Sequence, residues 1–337
     1  MFIQSELQEL KNILSTPKKI TIVSHRNPDG DAMGSSLGLL HTLKQLQHEV
    51  IFISPNEFPE FLAWLPNSKE VVVFEKEQVK AKSILSNSDL IFTLDFNALH
   101  RTGDLMGNYM NTLTVPVALI DHHELPDNYA KYQFSDTSYG STSQMIYDFI
   151  NELGYNTLIN KDVATCIYTG ILTDSGGFRF PKTTPETHKC VAELLERGAN
   201  NSEIYNLLYD NSSYNRLQLL GRALQNLKIL PDLHASYITL TQEELDTFNY
   251  QKGDTEGIVN YGLTIKDVFI TAIFIENKEE GIIKISFRSQ GDYDVNQFAR
   301  KYFNGGGHIN AAGGKSFSSL EETVKQFIAN LANLNQL

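Results

Sequence analysis

The first half of the chain repeats one pattern of hydrophobic and polar positions: a short apolar segment, a polar loop, then apolar residues at helical spacing. This alternation of strands and helices is typical of a parallel α/β sheet. The predicted strands are Lys19 to Ser24, Val50 to Ser54, Val71 to Phe74, Leu90 to Leu94 and Val115 to Ile120. Because ligands collect beyond the carboxyl ends of such strands, we expect the chemistry of this half at that edge.

The pattern changes after Thr184, where apolar residues recur at helical spacing as far as Leu230. Beyond Pro231 the pattern predicts three further strands, a glycine-rich loop and a final helix; these strands are Ala235 to Leu240, Val268 to Glu276 and Gly281 to Arg288, and the helix is Ser318 to Leu334. At roughly 150 residues per domain, 337 residues correspond to about two domains. The predicted class is α/β, with a parallel-sheet domain over 1–185, a helical linker over 186–230 and a smaller α/β domain over 231–337.

Composition narrows the class of protein. The chain is 41% hydrophobic and 20% charged, which is the balance of a globular protein with a core in each domain. Its 28 basic and 40 acidic residues give a net charge of −12, which disfavours the coating of long duplex DNA. Phosphate groups of a substrate would have to be bound locally, by metals or by a few placed cations.

Two observations bear on location. No apolar run approaches the ~20 residues of a membrane span, and Met1 to Leu14 has the pattern of an amphipathic helix rather than a signal peptide. Cys166 and Cys190 are too few for a disulfide framework and lie in helix-like stretches, which predicts buried core residues in a reducing compartment. We therefore expect a cytoplasmic protein without a membrane partner, either a monomer or a homodimer.

Metal-ligand residue types follow three of the predicted strands. The first strand leads into a loop with His25, Asp29 and Asp31; another ends in Asp95, and a third ends in Asp121, His122 and His123. Each group alone is compatible with turn or capping chemistry. Their arrival at one sheet edge predicts a metal site. Asp174, after a predicted helix from Asp162 to Leu172, is a further candidate, although on its own it would be assigned to a helix end.

These segments resemble a known family. SHRNPDGDAMGSS, LDFNALHRTG, IDHH and TGILTDSGGFRF are similar, in order and spacing, to the four motifs of the DHH phosphoesterases, and GGGHINAAGG resembles the glycine-rich motif of the DHH-associated domain. The resemblance covers nearly the whole chain. It implies a DHH catalytic domain over 1–185 and a DHH-associated, substrate-binding domain over 231–337.

The resemblance also implies two divalent cations, usually manganese, and a water that they activate for attack on phosphorus. Its ligand pattern assigns His25 and Asp29 to the first ion, and Asp95 to both ions. The second ion would be bound by Asp31, His122 and Asp174. Imidazole ligands fit this expectation, since they favour Mn²⁺ over Mg²⁺. His123 is expected to act on the substrate as a hydrogen-bond donor or proton donor, and Asp121 to orient an imidazole or cap its strand; the role of Arg101 stays open.

The second half carries a candidate anion site. In the alternating segment Ile283 to Ser289, Arg288 shares one strand face with Lys284 and Ser286. The glycines that follow allow backbone N–H groups to approach an anion. By analogy with the family, a substrate phosphate would be bound by Arg288, Ser289, Gly306, Gly307 and His308.

The expected activity is that of a metal-dependent phosphoesterase on short single-stranded oligoribonucleotides or nucleotides. Linear dinucleotides and 3′-phosphoadenosine 5′-phosphate (pAp) are the substrates that the resemblance suggests. The sequence leaves four alternatives open: a cyclic-dinucleotide phosphodiesterase, an inorganic pyrophosphatase, a RecJ-like exonuclease, or a non-catalytic nucleotide sensor. An intact ligand set argues against the sensor, and the absence of a basic Arg-Lys-Lys-type cluster argues against the pyrophosphatase.

Overall fold

The computed structural model describes residues 3–331, which form two compact units that divide after Asn211. The ends of the chain, including the last residues of the predicted helix to Leu334 and the first of the predicted helix from Met1, lie outside this range. Within it, no helix is both long enough and apolar enough to cross a membrane.

The first unit contains a six-stranded sheet in which every neighbouring pair of strands is parallel. Its strands are β1 (Lys19–Val23), β2 (Glu49–Ser54), β3 (Val72–Val73), β4 (Leu90–Leu94), β5 (Val117–Asp121) and β6 (Tyr132–Ser135). The strand order is β3-β2-β1-β4-β5-β6, so the direction of winding reverses between β1 and β4. Ligands of doubly wound sheets bind where this reversal opens a crevice at the carboxyl ends.

Helices cover both faces of this sheet. They are α1 (Gln4–Ile13), α2 (Gly30–Gln45), α3 (Gln78–Ser86), α4 (Asp104–Met110), α5 (Thr142–Glu152), α6 (Lys161–Asp174), α7 (Pro185–Glu196) and α8 (Asn201–Tyr209). Apolar residues of α1, α2 and α5 to α8 form the core on one face, and those of α3 and α4 form the core on the other. Cys166 and Cys190 are buried in the first of these cores as free thiols, as predicted.

Glycines bring α2 and α6 unusually close together. A Cβ atom added at Gly34 of α2 would lie 2.5 Å from the Cys166 carbonyl oxygen and 2.8 Å from the Gly170 backbone nitrogen, both on α6. The distance between two helices depends on the side chains at their contact, so small residues permit the shortest approach. This packing sets the first turn of α2, with Asp31, beside the last turn of α6, with Asp174.

The stretch 186–230, expected to be a linker, is helical but divided between the two units. Helices α7 and α8 pack with α5 and α6 of the first unit, and α9 (Tyr214–Asn226) packs with strands of the second. The reason lies in their apolar faces. Leu194 contributes to the core of the first unit, whereas Leu219 and Ala223 contribute to a core of the second.

The second unit contains a mixed six-stranded sheet in the order β11-β12-β10-β9-β8-β7. Its elements after α9 are β7 (Lys228–Leu230), β8 (Ala235–Leu240), α10 (Gln242–Thr247), β9 (Ile270–Asn277), β10 (Ile282–Ser289), α11 (Val295–Tyr302), β11 (Gly306–His308), β12 (Ala311–Ser316) and α12 (Leu320–Leu331). All neighbouring strands are antiparallel except β8 and β9.

Four strands were absent from the prediction. β6 and β7 are short edge strands whose apolar residues are too few to stand out from the surrounding loops. The expected glycine-rich loop is the hairpin of β11 and β12. Glycine is depleted in strands, but a Cβ atom at Gly307 of β11 would lie 2.4 Å from the Ala311 carbonyl oxygen, so backbone proximity requires glycine here.

Candidate active site

The loop after β1 delivers the first two candidate ligands. Asp29 is the N-cap of α2, and its Oδ1 accepts hydrogen bonds from the backbone N–H groups of Asp31 and Ala32. His25 is buried, and its Nδ1 lies 2.9 Å from the Arg26 carbonyl oxygen. Because that carbonyl can only accept, Nδ1 carries the proton, and Nε2 presents its lone pair.

The first group of candidate ligands surrounds this lone pair. His25 Nε2 lies 3.9 Å from Asp29 Oδ1 and 3.4 Å from Asp95 Oδ2. These three side chains form a group whose ligand atoms are close enough to share one metal ion. It contains the residues that the sequence assigned to the first ion.

The second group has the same construction around His122, which follows β5. Its Nδ1 lies 3.3 Å from the Tyr139 carbonyl oxygen, so its Nε2 faces the carboxylates. That nitrogen lies 4.0 Å from Asp31 Oδ2, 3.5 Å from Asp95 Oδ1 and 3.4 Å from Asp174 Oδ2. Asp31, His122 and Asp174 form a second set with metal-binding capacity.

Asp95 connects the two groups. Its Oδ2 is the oxygen near His25, and its Oδ1 is the oxygen near His122. The residue follows β4 with a φ of 67°, a left-handed conformation that aspartate tolerates better than most residues but that still costs free energy. The fold therefore holds one carboxylate between two sets of ligands.

The donor set fits two divalent cations. Ligand atoms about 2.1 Å from a common ion lie about 3.0–3.4 Å apart, near the separations found around both histidines. Asp29, Asp31, Asp95 and Asp174 together supply four negative charges, which two divalent ions would balance. His25, Asp29 and Asp95 would hold one ion, and Asp31, His122, Asp174 and Asp95 the other.

The ionisation of these side chains reflects the crowding of charge. Burial raises the pKa of Asp174 to about 7, with repulsion from Asp31 and Asp29 adding to the effect. Burial and the neighbouring carboxylates also raise the pKa of Asp31 and Asp95. Burial alone would lower the pKa of His122, but Asp174, Asp95 and Asp31 together raise it to about 9. Bound cations would replace the protons that these groups retain.

The N-terminus of α5 contributes contacts to the site that the sequence does not predict. Asp31 Oδ2 accepts a 2.6 Å hydrogen bond from the Thr142 backbone N–H, and Asp31 Oδ1 accepts a 2.8 Å bond from that of Ser143. The Thr142 hydroxyl donates to Asp95 Oδ1 at 2.9 Å. The run Ser141 to Ser143 resembles an ordinary helix start, so its sequence carries no sign of these contacts.

Asp121 and His123 lie beside the two groups. Asp121 is fully buried at the end of β5, and its Oδ1 lies 2.7 Å from His123 Nδ1. The pair fixes the tautomer of His123, with the proton on Nδ1 and a lone pair on Nε2. Burial, with the charges of His122 and Arg101, holds the pKa of His123 well below its usual range. The neutral form of this imidazole is therefore favoured.

The anion-site candidates lie on two strands of the second unit, β10 and β11, which are separated by β12. Arg288 of β10 and His308 of β11 are both paired with Ala311 of β12. Directly paired residues share a face of a sheet, so these three form one row in which a methyl group separates a guanidinium from an imidazole. Each strand spacing is about 4.8 Å, which leaves room for a phosphate above Ala311.

Two of the predicted anion contacts are already engaged. The Ser289 hydroxyl donates to the Tyr293 carbonyl oxygen at 2.6 Å and accepts from Asn310 Nδ2 at 2.9 Å. The backbone N–H of Gly307 donates to Asn296 Oδ1 at 2.9 Å. A ligand at Ser289 or Gly307 would have to displace these partners.

The first unit is a doubly wound α/β sheet, and carboxylate and imidazole groups meet where its winding reverses, between β1 and β4. This combination is typical of metal-dependent hydrolases. Comparison with known families gives the particular family. The DHH family N-terminal domain matches residues 19–171, and the DHHA1 domain matches residues 234–334. The chain belongs to the DHH family and is an enzyme.

Relatives of this chain are known from several bacteria. A Thermus thermophilus protein named bifunctional oligoribonuclease and PAP phosphatase NrnA is 32% identical over 87% of this chain and 83% of its own length. The Bacillus subtilis protein of the same name is 30% identical over 88% and 90%, respectively. The crystal structure of an exopolyphosphatase-related protein from Bacteroides fragilis is 40% identical, with a TM-score of 0.94 over 99% of this chain and 97% of that one.

Proposed function

We propose that the protein is a Mn²⁺-dependent phosphoesterase that hydrolyses short oligoribonucleotides to mononucleotides and pAp to AMP. The observation that carries the proposal is the position of Asp95, with one oxygen near each group of ligands. The names of the relatives at about 30% identity support the substrate class. The mixture of imidazole and carboxylate ligands supports Mn²⁺ over Mg²⁺.

Divalent cations held here would polarise phosphoryl oxygens and lower the pKa of water, which is the chemistry that phosphate ester hydrolysis needs. The protein's own part begins with orientation. The Nδ1–H groups of His25 and His122 are held by backbone carbonyls, so both imidazoles present Nε2 without rearrangement. The N–H groups of Thr142 and Ser143 hold Asp31 in the same way.

His123 would then handle a proton at Nε2. The negative charge of a bound phosphate raises the pKa of a nearby imidazole, so substrate binding favours uptake of a proton at Nε2. Asp121 stabilises the resulting imidazolium through the bond to Nδ1. From this position His123 would give the proton to the oxygen of the leaving group.

The second unit would bind a neighbouring phosphate or the end of the substrate. Arg288 and His308, on either side of Ala311, support this role most directly, with Ser289, Gly306 and Gly307 in the surrounding backbone. One small site of this kind, on a chain with a net charge of −12, supports a short substrate over long duplex DNA. The two free, buried cysteines support a reducing, cytoplasmic location.

The test is a substrate panel with Mn²⁺, and the same panel with excess chelator. It contains pAp, dinucleotides, five-residue RNA, a strand of about two dozen residues, cyclic dinucleotides and pyrophosphate. We expect turnover of pAp and the short RNAs, loss of turnover in chelator and better recovery with Mn²⁺ than with Mg²⁺. Full activity in chelator would refute the metal assignment, and preference for pyrophosphate or cyclic dinucleotides would refute the substrate class.

A further inference from the structure

We propose that Thr142 is a positioning residue for the ion site of Asp31, His122 and Asp174, and that its hydroxyl acts by fixing Asp95 Oδ1. The proposal rests on the proposed function, because it presupposes that two cations bind. It adds a residue outside the ligand set, on an element that carries none of the ligands.

Thr142 contacts ligands from two different strand ends. Its backbone N–H donates to Asp31 Oδ2 at 2.6 Å, and its hydroxyl donates to Asp95 Oδ1 at 2.9 Å. Its side chain is fully buried, so it makes no direct contact with a substrate. Its hydroxyl can therefore influence catalysis only through the carboxylate that it holds.

The hydroxyl is not needed to start the helix. Ser141 is the N-cap of α5, and its side chain accepts the hydrogen bond from the Gln144 N–H. A threonine after the cap commonly directs its hydroxyl to a nearby backbone carbonyl or to solvent. Here it is directed to a buried carboxylate from another strand, which indicates a role in the site rather than in the helix.

The hydrogen bond from Thr142 to Asp95 should affect one ion site more than the other. Asp95 Oδ2 lies near His25, whereas Oδ1, the oxygen bonded to Thr142, lies 3.5 Å from His122 Nε2. A cation at the His25 group would hold Oδ2 by itself. Once Oδ2 is held, the hydroxyl decides whether Oδ1 stays oriented toward His122, so its loss weakens the second site more than the first.

The experiment measures Mn²⁺ binding to the full-length protein, using the electron paramagnetic resonance signal of free Mn²⁺. Thr142→Val removes the hydroxyl at nearly constant volume, Thr142→Ala removes it and leaves space, and Thr142→Ser retains it. We expect both hydroxyl-lacking variants to bind one ion as the natural protein does and the other about 10- to 100-fold more weakly. Thr142→Ser should restore the second affinity.

Thr169→Val is the matched control, because Thr169 is also fully buried and its hydroxyl donates only to the Thr165 backbone carbonyl. It should leave both affinities unchanged. Unchanged binding in Thr142→Val, or equal loss in Thr142→Ser, would overturn the proposal. So would failure of the Val and Ala variants to fold with Mn²⁺, which would assign the hydroxyl to the fold. If the natural protein itself does not bind two ions, the proposed function fails instead.

Discussion

Without divalent cations, the first unit should lose stability as the pH rises from about 6.5 to about 8. In this window two groups have a pKa above the ordinary value, the partly buried Asp174 at about 7 and the buried His122 at about 9. A folded-state pKa above the unfolded one means that the folded state binds more protons. The stability that these protons contribute is present at low pH and is lost as the pH rises through the folded pKa.

The expected loss can be worked from these values. Raising the pKa of His122 from 6.5 to about 9 corresponds to a loss of roughly 1.5 kcal/mol across the window, and Asp174 adds somewhat less than 1 kcal/mol. The expected total is roughly 2 kcal/mol. His41, His48 and His123, whose pKa burial lowers, act in the opposite direction, mainly below about pH 6.5 and by at most roughly 0.4 kcal/mol each within the window. They reduce the expected loss without reversing it.

Mn²⁺ should reverse this dependence, because a cation competes with protons for the same ligands and binds more tightly as they leave. Trp64, the single tryptophan of the chain, lies in the first unit, so its fluorescence follows the unfolding of that unit in urea. Exposed His100 offers a control in His100→Asn, which should keep the slope with pH. Stability that rises with pH in chelator, or an identical slope with Mn²⁺, would refute the reasoning.

Three further predictions concern the second unit and the packing of α2. Arg288→Ala should weaken the binding of short RNA by about 10- to 150-fold, the equivalent of about 1.5–3 kcal/mol, while Lys284→Ala on the same strand face should leave it near normal, in an equilibrium titration. Ala311→Leu should raise KM with little change in kcat, because it fills the space between Arg288 and His308; an unchanged KM would contradict the phosphate position. Gly34→Ala should destabilise the fold by about 1–3 kcal/mol by circular dichroism in urea, whereas Gly221→Ala, with open space at its Cβ, should not.

The sheet of the first unit could be predicted from sequence because each of its longer strands is marked by a pattern of neighbouring residues. Five of its strands are apolar runs followed by polar loops, and parallel connection sends their carboxyl ends to one edge. His25, Asp95 and His122 follow three of these strands, so their proximity is a consequence of topology alone. Asp174 belongs to a helix end, and only the family resemblance assigned it to the site.

The remaining contacts depend on tertiary packing that no local pattern encodes. Glycines allow α2 and α6 to pack closely, and this packing determines where Asp174 lies relative to Asp31. The bond from Thr142 to Asp95 joins residues 47 positions apart. In the second unit, the glycine pattern predicted a loop, whereas pairing of Gly306–His308 with β12 makes a strand and aligns His308 with Arg288 through Ala311.

The fold of the first unit orients the candidate ligands through its own hydrogen bonds. Backbone carbonyls hold His25 and His122, backbone N–H groups hold Asp31, and a hydroxyl holds the carboxylate of Asp95. All of these partners are groups of the protein itself, so the orientation of the ligands is part of the fold. The cost is the burial and crowding of carboxylates, which raise the pKa of Asp174 and, through attraction of its imidazolium, that of His122. Cation binding would relieve this crowding of negative charge. The stability of the first unit is therefore expected to depend on whether cations occupy the site. The pH dependence of unfolding can then be used to test the arrangement of the ligands, and this test needs no substrate.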